Sequence, residues 1–187
     1  MTKLDEPMRA HIAGQTDILK QSADMSPAEH FHEIRTLLAK GKRGEAYEIL
    51  RSAVVKYTED PFLLSYFGYL AASLEGRYRN GIESCKRAID LFEKKSLYGL
   101  DDVEERLNAI LYVNLGRAYL AGGKKKDAFD SLQKGLLFDK QNRDILEELE
   151  RLGIRKYVPV SFLDRSHPIN TLLGRMIRKT GKNSTPK

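Results

Sequence analysis

An all-helical fold of stacked helix pairs is the expectation for this 187-residue chain, and three features of the sequence set it. Helix starts are written at Ser26-Pro27-Ala28-Glu29 and at Asp60-Pro61, where Ser or Asp can cap the helix and Pro suits its first position. Further on, Tyr112-x-x-Leu115-Gly116-x-x-Tyr119 is followed by Gly123 and then by Ala128-x-x-x-Leu132-x-x-Gly135. Small residues at Gly116 and Ala128 let two helices approach closely while Leu115, Tyr119 and Leu132 interlock around the contact. Finally, Gly68 lies 34 residues after Ile34, a spacing that points to a repeated unit. One helix pair cannot bury its own apolar face, so a single good copy requires neighbours.

The stretch from Ala109 to Asn142 resembles the tetratricopeptide repeat, a 34-residue helix-turn-helix unit with the pattern W-x-x-L-G-x-x-Y, then A-x-x-x-F, then P. Tyr112 stands where the family often has Trp, Leu132 where it has Phe, and Lys140 where the closing Pro would be. The resemblance implies a curved solenoid of three repeats, about 27–60, 61–92 and 109–142, followed by a capping helix at 143–152. The structural positions are then Gly68, Gly81, Gly116, Tyr119, Ala128 and Leu132.

Taken in order, residues 1–25 are polar and mixed, either poorly ordered or a short helix around Met8 to Leu19. The first repeat should have a helix to about Lys40, a turn over Gly41 to Gly44 and a second helix from about Glu45 to Tyr57. Aligned on the third repeat, it puts Ile34 at the small-residue position, a poor fit of the kind terminal repeats show. The second repeat has Gly68, a turn at Gly76, Gly81 at the crossing point and Cys85 in the core. About 14 extra residues over 93–108 read as two helical extensions around a turn at Tyr98-Gly99, with Asp101 capping the later helix. Asn142 should cap the helix that carries Ile145, Leu146, Leu149 and Leu152 on one stripe.

Beyond it lies a basic extension, 153–187. Ile154 to Ser166 reads as irregular, and a helix over about 168–179 places Ile169, Leu172, Leu173, Met176 and Ile177 on one face, with Arg175, Arg178 and Lys179 opposite. Nine basic residues from Arg151 to Lys187 face Asp164 alone, a net +8 against +6 for the whole chain, so Met1 to Glu150 carries −2. No secretory leader opens the chain and no apolar run is long enough to span a bilayer. With the single Cys85, this makes a reducing, cytoplasmic setting the expectation.

No motif has the form of an active site. His11, His30, His32 and His167 are scattered without the spacing of metal ligands, and Cys85 falls at a core position with no cationic activator nearby in sequence. Gly122-Gly123 followed by Lys124-Lys125-Lys126 lacks the spacing of a phosphate-binding loop, so those lysines read as a solvated turn. Neither an enzyme nor a cofactor is expected.

The resemblance implies a functional surface in the concave groove, lined by the first helix of each repeat. Phe31, Arg35 and Leu38 come from the first repeat; Phe62, Ser65, Tyr66, Tyr69 and Ser73 from the second; Ile110, Val113, Asn114 and Arg117 from the third. Arg35 and Arg117 could each meet a carboxylate. Family members that grip a C-terminal carboxylate use Lys and Asn, then Asn, then Lys and Arg. Those places here hold Phe31, Arg35, Tyr66, Ile110 and Asn114, so that specialisation is rejected.

The function implied is a non-enzymatic adaptor that holds a peptide or helix of a partner protein. One alternative is a small chaperone, similar to three-repeat bacterial secretion chaperones, that holds an apolar segment. Another is recruitment to an anionic membrane or nucleic acid through the basic last helix. Nucleic acid is disfavoured because no aromatics interleave that helix's basic residues, and docking of the helix on the protein itself is the blander expectation. Nothing in the sequence sets the oligomeric state.

Overall fold

Local capping writes several of the helix boundaries. The computed structural model describes residues 24–95 and 102–153, the side chains of 102–105 excepted, and every regular element among them is helical. Helix α1 (Pro27–Ala39) begins with a complete capping box: the Glu29 amide donates to the Ser26 hydroxyl, and the Ser26 amide donates to the Glu29 carboxylate. Helix α2 spans Arg43–Lys56. Helix α3 (Pro61–Glu75) is capped by Asp60, whose carboxylate accepts from the amides of Phe62 and Leu63. Helix α4 covers Tyr78–Lys95, α5 Asp102–Ala121 and α6 Lys125–Phe138. Last is α7 (Arg143–Arg151), where the Ile145 amide donates to the Asn142 cap.

Helix α2 starts two residues before the expected Glu45. The first turn of a helix needs no internal partner for its amides, so Gly44 is tolerated there, and Lys42 pairs with Glu45 at 3.0 Å across that turn. The long link between the second and third pairs is partly helical: α4 runs to Lys95 and α5 has begun at Asp102. The expected turn at Tyr98-Gly99, the expected Asp101 cap, the segment 1–23 and the whole of 154–187, where a basic helix is expected, lie outside the described residues.

Each helix packs on its chain neighbour, and α3 also touches both α1 and α5. Gly41, Gly76 and Gly123 take left-handed backbone angles, φ 75°, 68° and 73°, just past the ends of α1, α3 and α5. The three connections therefore turn in the same way, into α2, α4 and α6.

Where the later pairs cross, the backbones come very close. A Cβ placed on Gly68 would stand 2.5 Å from the Gly81 carbonyl oxygen and 2.8 Å from the Cys85 sulfur. One on Gly116 would stand 2.8 Å from Leu132 Cγ and 3.5 Å from the Ala128 carbonyl oxygen. The first pair has buried Ile34 at the corresponding place, and α1 contacts α2 less extensively than α3 contacts α4. A branched side chain holds axes apart where glycine does not.

Two buried clusters result. Ile34, Leu37, Leu50, Leu63, Tyr66 and Leu70 are at the centre of one, shared by α1, α2 and α3; Ile82, Cys85, Phe92, Leu111, Leu115 and Ala128 are in the other, shared by α4, α5 and α6. Helix α3 feeds both, since Ala72 belongs to the second. That central place explains why no charged residue occurs from Pro61 to Leu74: a helix covered on most sides has no solvated face to carry one.

On α7 the expected stripe is altered. Ile145 and Leu149 are buried, Ile145 filling the space above Gly135, but Leu146 is 41% exposed and Glu148 only 5%. An acidic residue turns inward because Arg117 waits for it on α5.

Candidate functional site

The face to which α1, α3 and α5 contribute holds the residues implied as partner-binding, and they separate into interior and surface groups. Ser65, Tyr66, Val113 and Asn114 are buried and pack within the fold. Asn114 Nδ2 donates to Ser65 Oγ at 3.0 Å, a fully buried bond that joins α5 to α3, and Cys85 Sγ donates to the Ser65 carbonyl at 3.3 Å. Helix α3 packs directly on α5, which removes these side chains from solvent. Tyr66 reaches the same interior, and burial pushes its phenol pKa from 10.0 up to about 12.

Phe31, Leu38, Phe62, Tyr69, Ser73, Ile110 and Arg117 are half-buried, while Arg35 is exposed. Phe31 links these helices through its ring, with centroids 5.3 Å from Phe62 and 5.9 Å from Tyr66; Phe62 continues to Phe92 at 5.7 Å. The Arg35 guanidinium lies over Phe31, 5.6 Å from the ring centre.

A second assembly centres on Tyr69. The Arg43 guanidinium stands 5.4 Å and the Arg117 guanidinium 5.5 Å from its ring. Arg43 Nη2 donates to Ser73 Oγ at 2.7 Å, while its Nε is buried without a hydrogen-bond acceptor. Arg43, at the first turn of α2, was not among the residues the repeat pattern picks out, because the pattern looks only at first helices. Nothing in the sequence singles it out from Lys40 and Lys42, which flank the same Gly41 turn.

Arg117 already has its carboxylates. Its Nε donates to Glu148 Oε1 at 2.8 Å and its Nη2 to Asp144 Oδ1 at 3.3 Å, both on α7. Burial works to lower the Arg117 pKa, but the Glu148 hydrogen bond and then the Asp144 charge outweigh it, and the net direction is upward. Arg35 and Arg43 form no ion pair among the described residues. These two cations lie against aromatic rings with no carboxylate partner among the described residues.

Two of the remaining candidates for chemistry, Cys85 and His30, sit in packing roles. Cys85 is fully buried, which pushes its thiol pKa far up and keeps it protonated. His30 is buried, its Nδ1 hydrogen donating to the Ser26 carbonyl at 2.9 Å, with its ring edge-on to Tyr57; His32 is exposed. Among the described residues no three His, Cys, Asp or Glu side chains come together as a metal site, and no helix is long and apolar enough to cross a membrane.

No protein-family model matches this chain, and no curated protein matches it at a significant level.

Proposed function

We propose that this protein is a non-enzymatic adaptor of the tetratricopeptide-repeat kind. Three stacked pairs, α1–α2, α3–α4 and α5–α6, are closed by α7, and the first helices present a concave face to an acidic peptide segment of a partner protein. The repeated glycine turns and the glycine crossings at Gly68 and Gly116 support the architecture. One observation carries the function: Arg35 over Phe31 and Arg43 over Tyr69 present cations on aromatic platforms without internal carboxylates. Guanidinium groups held in this way offer charge-assisted, directional bonds to Asp or Glu side chains at a small ordering cost.

Affinity capture tests it, with the intact chain compared against an Arg35→Glu, Arg43→Glu double variant and an Arg143→Glu control. The expected outcome is a partner lost only from the double variant and recoverable as a synthetic acidic peptide that binds the intact chain. Identical partner sets from all three would remove this face from the account.

A second reading, a small chaperone for an apolar segment, draws on the half-buried Phe31, Phe62 and Ile110. It predicts the reverse sensitivity, with binding kept in the arginine variant and lost in Phe31→Ser.

A further inference from the structure

Lys124 of the α5–α6 turn lies in a part of the fold that the sequence spacing does not reveal. The fold brings this turn against the start of α4: a Cβ on Gly122 would stand 3.3 Å from Tyr78 Cβ. Between them opens a cleft of about 770 Å³, lined by Tyr78, Arg79, Ile82, Glu83, Lys86, Gly122 and Lys124. That size suits a small molecule rather than a folded partner.

We propose that this cleft binds a small molecule carrying a di- or triphosphate. Arg79, Lys86 and Lys124 come from segments some 40 residues apart, and only folding puts their charges around one opening. None of the three forms an ion pair among the described residues, and Glu83 is the one carboxylate in the lining. The Lys86 ammonium lies over the Tyr119 ring at 5.9 Å from its centre, a contact that uses none of its three hydrogen-bond donors. Tyr78 is 47% exposed at the mouth and offers a flat ring surface. The setting heightens the contrast, because Met1 to Glu150 as a whole is slightly acidic. Three cations in the lining against a single carboxylate favour a multivalent anion over a monovalent one.

The test is calorimetric titration of the full chain at low salt with inorganic pyrophosphate, tripolyphosphate and ATP as probes. Saturable binding with one site per chain is expected, weakened at least tenfold in Lys86→Gln, Lys124→Gln and unchanged in Lys134→Gln, with circular dichroism showing all three helical. ATP binding tighter than tripolyphosphate, with the difference erased by Tyr78→Ala, adds a ring on Tyr78; equal binding places the recognition in the phosphates alone. Absence of saturable binding overturns the proposal. So does binding that survives Lys86→Gln, Lys124→Gln, since the anion would then sit on other basic residues of the chain.

Discussion

The carbonyl oxygen of Gly81 lies where a methyl group on Gly68 would have to go, 2.5 Å from its Cβ position. Gly68→Ala must push α3 and α4 apart or bend one of them. Against a gain of about 1 kcal/mol in helix propensity, the overpacking is expected to cost more, a net loss of about 2 kcal/mol measured by urea denaturation. Gly44→Ala, with open space around the Cβ, is the matched control and should stabilise slightly. Equal responses of the two variants would mean the α3–α4 crossing is looser than described.

Burial of the Ser65–Asn114 pair predicts coupling between two residues that the repeat pattern places on a binding surface. Asn114→Ala should lower stability by about 2 kcal/mol through the lost bond and the space left behind. A double-mutant cycle with Ser65→Ala should give a coupling of about 1 kcal/mol. A coupling near zero would put these side chains in water.

Helix α7 should depend on Arg117. Removing that side chain leaves Glu148 buried with, among the described residues, only the largely exposed Arg151, 3.4 Å away, as an ion-pair partner. Arg117→Ala is expected to speed amide hydrogen exchange in α7 more than in α3, with a loss of about 2 kcal/mol in local stability. Uniform exchange changes across all helices would argue against a specific hold on α7.

Alkaline pH should weaken the fold through Tyr66. Its pKa is raised from 10.0 to about 12 by burial, so the folded state holds the proton more tightly than the unfolded chain. Its contribution is fully present below pH 10 and is lost as pH rises toward 12. Tyr112 shifts in the same direction, also to about 12, from burial first and then the nearby Glu93 carboxylate. Phenolate absorbance should therefore show tyrosines that ionise only as helicity falls, and Tyr66→Phe should remove part of the loss.

The sequence by itself determined the helical class and several of the places where helices begin, turn and approach closely. Ser26, Asp60 and Asn142 cap partners within three residues of themselves, and Gly76 or Gly123 ends a helix through its own backbone angle, so such features need no knowledge of the rest of the chain. Gly116 and Ala128 were legible for a related reason, since a short turn leaves a helix pair little choice of where to touch. Only the tertiary structure decided which sides of α3 and α5 are interior, and so buried Ser65, Tyr66, Val113 and Asn114. It also spent Arg117 on Glu148, 31 residues away, set Arg43 beside Tyr69, and gathered Arg79, Lys86 and Lys124 around one cleft. Burial and the partners of long charged side chains depend on the placement of neighbouring helices at once, and no spacing along the chain encodes that placement.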